Sequence, residues 1–435
     1  MIAPSVPVSA KCYAALSVGF TLFTIYGSLV PFEYVPRTWD NAVAAWVWVW
    51  EHRIYPESRS DFAANFLLGV PLGFCLLGAL RLDRKGPFGS LLAVLIALPF
   101  CIGLATAVEF SQLWFPKRTC AGSDVIAQSL GSASGMLVWL LAGQWITNFV
   151  RRIWDLPSLG GRVGRALVLY LIALAAVMTL PWDITASPAD WYHKALEKIT
   201  YVPFEEWNRP ELRVRKLRDW AELLALFAPV GLLASGLPGS FKRRGGIGIV
   251  GFAGLALGVM VEGAQWPIVS RHPSATDVII EASSVLIGWG IGRAIASGKL
   301  PVVIPTFGWL GLLAGVNWWP MNFDPGVLDD RLRVTTLLPF LSLESKNYMF
   351  WLEEIAVKAM VFAPIGAAAS RKGIVRAMIV CAMAGLMMEL GQLFLSDRFP
   401  SLTDVLLATV GGGLGAMVTR AVLSPDEPLL LEKAA

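Results

Sequence analysis

The chain has 435 residues, of which 55% are apolar and only 16% charged, and its mean hydropathy is +0.59. That composition excludes a soluble globular enzyme and places long apolar segments in a lipid bilayer. The net charge of +4 is spread over short loops with no concentrated basic face, which excludes nucleic acid as a partner.

In chain order, the apolar runs predict helices near 12–31, 62–79, 88–111, 123–146, 164–182, 219–236, 246–265, 276–295, 300–319, 351–369, 373–395 and 403–422. The first run follows Lys11 without a persuasive small-residue cleavage site, so it reads as a retained helix. The expected fold class is all-α: a polytopic integral membrane protein with about 12 transmembrane helices in three four-helix repeats. The units are expected at 1–150, 160–298 and 299–422, followed by a cytoplasmic tail at 423–435. They can sit around a pseudo-threefold axis or in a row. Trp46, Trp48 and Trp50 in the first long loop suit the water–lipid interface. Short basic loops containing Arg81, Arg84, Arg151, Arg152, Lys242, Arg243, Arg293 and Arg371 predict the cytoplasmic side, with both termini there. Arg213, Arg215, Lys216 and Arg218 conflict with that rule and are expected to form an amphipathic interfacial segment.

One polar pattern occurs three times: Glu109, Gln112, Arg118, Asp124; Glu262, Gln265, Arg271, Asp277; Glu389, Gln392, Arg398, Asp404. The offsets from each glutamate are 3, 9 and 15. A glutamate and glutamine three apart near a helix end share a face, and the short return loop brings the arginine and aspartate back to them. An antiparallel helix pair then gathers four polar groups at one membrane face, all three clusters facing outward. A carboxylate beside the apolar layer is costly unless paired, and the arginine offers a planar, bidentate partner. Ser123, Thr276 and Thr403 precede the aspartates and are expected to cap the next helix. On that reading the cluster fastens a hairpin.

Further markers repeat with it. Pro71-Leu72-Gly73, Pro229-Val230-Gly231 and Pro364-Ile365-Gly366 mark a kink or close-packing point, and Asp61, Asp219 and Glu354 lie ten residues before each proline. Phe32-Glu33, Trp182-Asp183 and Phe323-Asp324 open the long loops. The first copy is richest: Asn65 follows Asp61 by one turn and Gln128 follows Asp124, whereas the corresponding positions hold Leu223 and Glu281, or Lys358 and Ala408. The five cysteines read as small hydrophobes, and His52, His193 and His272 form no ligand motif. No zinc helix, phosphate loop, dinucleotide fingerprint or serine elbow is present, so no cofactor, metal or catalytic residue is predicted.

The segments DFAANFLLGVPLG and EFSQLWFPKRTCAGSDVIAQSLG, with weaker counterparts DWAELLALFAPVG, EGAQWPIVSRHPSATDVIIEASSVLIG, EEIAVKAMVFAPIG and ELGQLFLSDRFPSLTDVLLATVGG, resemble the VanZ-like membrane protein family. Its members look like small proteins with four or five helices, so three copies in one chain is a departure. The resemblance implies a bacterial envelope setting, with some members linked to tolerance of teicoplanin-like or lipid-tailed antibiotics. It carries a site onto Asp61, Asn65, Glu109, Gln112, Arg118 and Asp124. The expected function is binding or reorganising a lipid-linked anionic or glycan molecule at the outer leaflet, with Arg118 on phosphate and Glu109 or Asp61 as acid or base. A transporter or flippase and a scaffold with purely structural motifs are the alternatives.

Overall fold

The computed structural model describes residues 8–30, 32–56, 59–84, 86–155, 162–180, 185, 187–237, 246–329, 331, 339 and 348–422. They are almost entirely helical, and they divide into two compact units, one within Met1–Leu156 and the other within Pro157–Ser342 and Met349–Ala435. The first holds α1 (Ala10–Leu29), α2 (Trp39–His52), α3 (Arg59–Arg81), α4 (Pro87–Gln112), α5 (Gly122–Val138) and α6 (Gln144–Asp155). A π-helical turn, Trp139–Gly143, joins α5 to α6. The second holds α7 (Arg162–Thr179), α8 (Pro188–Glu197), α9 (Pro210–Ser235), α10 (Gly246–Ala264), α11 (Ala275–Ala296) and α12 (Val303–Trp318). It continues with α13 (Tyr348–Ala369), α14 (Ile374–Gln392) and α15 (Leu402–Val422). Trp182-Asp183, Lys242, Arg243 and the tail from 423 lie outside the described residues.

Among the described residues, 8 helices are long and apolar enough to cross a membrane: Ala10–Leu29, Asp61–Arg81, Pro87–Gln112, Gly122–Arg152, Gly246–Ala264, Ala275–Ala296, Ile374–Gln392 and Leu402–Arg420. This is an all-α, multi-pass membrane protein. Helices also stand where the other four spans were expected, but Val163–Thr179 and Val303–Trp318 are shorter. The remaining two, α9 and α13, carry Arg218, Asp219 and Glu222, and Glu353, Glu354 and Lys358, a charge load that an isolated span does not tolerate. The basic run at 213–218 is helical. It forms the first turns of α9, and Arg213 donates to the Trp207 carbonyl at 2.6 Å.

Each repeat is built on the same close crossing. A Cβ added at Gly73 would lie 2.0 Å from the Ser132 carbonyl oxygen, at Gly231 1.8 Å from that of Val285, and at Gly366 1.9 Å from that of Gly412. The partner helices reciprocate: a Cβ added at Gly131, Gly288 or Gly415 would lie 1.9, 1.9 or 2.0 Å from the carbonyl oxygens of Phe66, Ala228 and Ala363. Thus α3 with α5, α9 with α11 and α13 with α15 pack backbone against backbone, which only residues without a Cβ allow. The Pro-x-Gly step is a packing device. In the first unit Tyr13, Leu77, Ala97, Cys101 and Met136 form the core. In the second, one core runs through both later repeats, from Leu174, Phe227 and Val285 to Leu313, Ile365 and Met388.

Gly73→Ala, Gly231→Ala and Gly366→Ala are each expected to lower stability by about 1–3 kcal/mol through overpacking. Gly19→Ala, which meets nothing within 4 Å, should leave the melting temperature of detergent-purified protein unchanged.

Candidate functional site

The helix carrying each Glu-Gln pair ends within a few residues of it, and a tight turn reverses the chain into the next helix. Glu109, Glu262 and Glu389 are buried, at 1%, 7% and 5% exposure. Each points its Oε2 at one backbone group twelve residues on: the N–H of Ala121 at 3.2 Å, of Ser274 at 2.7 Å and of Ser401 at 2.8 Å. Ala121 and Ser274 are the N-caps of α5 and α11, and Ser401 immediately precedes α15. The carboxylate therefore satisfies an N–H that the helix start leaves unpaired, and it sits where the helix dipole favours negative charge. Gln112 and Gln392 donate to Oε1 of their glutamates at 3.1 Å, and Gln112 also reaches the Ser28 carbonyl at 3.3 Å. Gln265 is buried in the second copy.

Capping differs from the sequence expectation. Ser274 and Ser401, not Thr276 and Thr403, accept at the helix starts, from the Thr276 and Thr403 N–H groups at 3.2 Å. Thr276 instead accepts the Phe204 N–H at 2.8 Å, and the Ser123 hydroxyl donates to Asp124 at 3.4 Å while its N–H donates to the Arg53 carbonyl. Asp124, Asp277 and Asp404 do occupy the first turns.

Two of the arginines bind groups outside their own clusters. Arg271 donates to the Leu180 carbonyl at 2.7 Å and to Glu353 at 2.6 Å. Arg398 donates twice to the Trp319 carbonyl, at 3.0 and 2.7 Å. Leu180 and Trp319 end the first helices of their repeats, α7 and α12, so these guanidinium groups terminate a helix at its carbonyl end. Glu353 belongs to the third repeat, and its pair with Arg271 ties the second repeat to it. Arg118 is half-buried in the return loop between α4 and α5.

The copies diverge one turn deeper. In the first, Gln128 donates to Asn65 at 2.9 Å, a buried neutral pair joining α3 to α5 beside Asp124. Asp61 is exposed at the start of α3. In the second, Leu223 replaces the asparagine, Asp219 is half-buried, and Glu281 is fully buried with neither carboxylate oxygen hydrogen-bonded. In the third, Lys358 bridges Glu354 at 2.9 Å and Asp404 at 2.5 Å. The aspartate of that copy is thus occupied by a cation from its own repeat.

A small cavity adjoins the third cluster. Arg218, Glu222, Asn317, Lys358, Glu389 and Asp404 line it, so α9 of the second repeat supplies two of its charges. Sequence reasoning missed Arg218, Glu222, Glu353 and the buried Lys194, whose Nζ donates to the Gln265 and Ile268 carbonyls. For Glu222 and Glu353 the signal was charge inside a predicted span and for Arg218 the basic run before one, while Lys194, in a loop, gave none. Outside the spans, burial, with the Glu109 and Asp124 charges adding to it, pushes the Cys120 thiol up to about 12, against the pull of Arg53 and Arg37. No group of three His, Cys, Asp or Glu side chains suited to a metal occurs among the described residues. The arrangement offers hydrogen-bond donors, carboxylates and guanidinium groups at the ends of membrane helices.

Fold and site together define a multi-pass membrane protein made of three helical units, each closed by a buried glutamate on the next helix start. The chain belongs to the VanZ-like (VanZ/LLP1) family, which it matches over residues 11–143, 167–296 and 306–423. It is also similar to a Haemophilus influenzae protein named "Putative metabolite transport protein", with 25% identity over 258 residues, covering 50% of this chain and 60% of that protein. The match therefore spans less than two thirds of the relative. No solved structure matches the chain.

Glu389→Ala leaves the buried Ser401 N–H unpaired and is expected to cost about 1–3 kcal/mol, read as a lowered melting temperature. Lys358→Ala, which removes the cation bridging two carboxylates, should cost about 3–5 kcal/mol, and adding Asp404→Ala should recover part of it. Additive losses would argue against the bridge.

Proposed function

We propose that the protein is a bacterial cytoplasmic-membrane factor whose first repeat binds or reorganises a lipid-linked anionic or glycan molecule at the outer leaflet. Twelve helices in three four-helix repeats, 1–150, 160–298 and 299–422, cross the membrane, with both termini in the cytoplasm and the three clusters outside. Arg118 contacts the phosphate, and Asp61, Asn65, Glu109, Gln112 and Asp124 frame it. Surface-polysaccharide handling and tolerance of glycopeptides or lipopeptides are the settings this chemistry fits.

One observation carries the reading. At the level where the third copy clamps its aspartate with Lys358, the first has the neutral Asn65–Gln128 pair, so Asp124 is left with no cation from that position. The motifs of the second and third copies serve structure, through Arg271 on Leu180 and Glu353 and Arg398 on Trp319. A second reading, transport, rests on the named similarity to a transport protein and on the charged cavity in the second unit.

Binding of headgroup-labelled undecaprenyl-linked and ordinary anionic lipids to purified wild type and Arg118→Ala decides between them. The expected result is at least a tenfold loss, about 1.4 kcal/mol, in a variant of unchanged melting temperature and monodispersity. Unchanged binding, or loss that tracks unfolding, rejects the assignment.

A further inference from the structure

The helix α2 lies outside the repeated motif, yet it is built onto the first cluster. Ala42 and Val49 face inward, at 0% and 4% exposure. Trp39, Val43 and Val47, spaced by four, form an exposed stripe of 66%, 41% and 51%, with Trp48 beside it. Such a short helix, tryptophan-rich and apolar on its outward side, suits the headgroup boundary better than water.

Its position is fixed by contacts at the end of α4. The Trp39 and Trp46 rings each lie 5.5 Å from Phe110, and Trp39 lies 6.4 Å from Trp114. The outward face of α4 exposes Leu91, Leu95, Phe100 and Ile102, which form part of the lipid-facing wall of the first unit. Because α2 packs on the last turn of that helix, its stripe continues the apolar wall to the level of the cluster. The occupant of this surface is therefore the bilayer itself.

Both ends of α2 are pinned to the turn that carries Arg118. The Trp114 Nε1–H donates to the Arg37 carbonyl at 3.1 Å, and the Ser123 N–H donates to the Arg53 carbonyl at 3.1 Å. Trp50 lies against Gly122, with 3.4 Å to a Cβ placed there. Arg37 is exposed, and Arg53 rests over the Trp48 ring at 5.6 Å. Two guanidinium groups thus flank the return loop, one at each end of an apolar strip. In the second repeat the loop helix α8 instead buries its Lys194 on the Gln265 and Ile268 carbonyls, which removes that cation from the surface.

We propose that α2 lies in the outer-leaflet interface as the lipid-contacting wall of the first site, with Arg37 and Arg53 joining Arg118 on the phosphate of an anionic lipid. This rests on the headgroup reading of the first repeat and adds the element and the two residues that select for anionic lipid. The lipid tails run along Trp39, Val43 and Val47.

The test uses the full chain with two readouts. In nanodiscs, bimane attached to Val43→Cys or Val47→Cys, in a Cys12→Ser background, is expected to be quenched by lipid carrying a nitroxide near its headgroup and shielded from aqueous iodide. In detergent, Arg37→Gln and Arg53→Gln are each expected to weaken binding of fluorescent phosphatidylglycerol about fivefold, with phosphatidylcholine unaffected and the melting temperature retained. Arg37→Lys should recover most of the loss, because a charge near the interface suffices. Bimane open to iodide and unquenched by the lipid would overturn the proposal. So would a double Arg37→Gln, Arg53→Gln variant that binds as wild type while Arg118→Ala does not, an outcome that leaves the headgroup reading standing. If Arg118→Ala also binds normally, both fail.

Discussion

The structure depends on a buried carboxylate facing the start of the next helix. Glu109, Glu262 and Glu389 each accept one backbone N–H, twelve residues on, from the residue that opens α5, α11 or α15. A helix end inside a membrane protein leaves polar backbone groups that lipid cannot solvate, and a carboxylate in the same setting lacks its own hydration. Each group meets the need of the other. That closure sets the reversal between two long helices, and the glycine crossings of α3 with α5, α9 with α11 and α13 with α15 then hold a third helix of each repeat against the hairpin.

With closure common to the three copies, the positions one turn away were able to diverge. The first repeat keeps an amide pair, Asn65 and Gln128. The second has Leu223 in place of the asparagine and carries the buried Glu281, and the third has Lys358 as a bridge between Glu354 and Asp404. Charges that look misplaced in α9 and α13 serve the junction of these two repeats: Arg271 pairs with Glu353, and Arg218 and Glu222 line the cavity beside Lys358. A single apolar core through both repeats fits the same division of labour.

Much of this was legible in the sequence, because the clusters are local in the chain. Offsets of 3, 9 and 15 placed the glutamate, glutamine, arginine and aspartate around one turn, and the apolar runs located the helices. The fate of the arginines was not legible. Arg271 and Arg398 bind Leu180 and Trp319, some 91 and 79 residues away, and no local spacing encodes those contacts. Capping was misplaced by two residues, since Ser274 and Thr276 have equal capping chemistry and only the turn geometry separates them. The helix α2 was hidden for a different reason: its tryptophans read as an interfacial loop, and a helix of 14 residues is too short to register as a span.

Hydrogen–deuterium exchange, followed by mass spectrometry of the peptides spanning 119–124, 272–277 and 399–404, tests the buried closure most directly. In the wild type the amides of Ala121, Ser274 and Ser401 are predicted to exchange slowly, and replacing one glutamate by alanine should accelerate exchange at its own turn while the other two stay protected. Protection unchanged at the altered turn would contradict the account, because the carboxylate would then not be what holds the next helix in place.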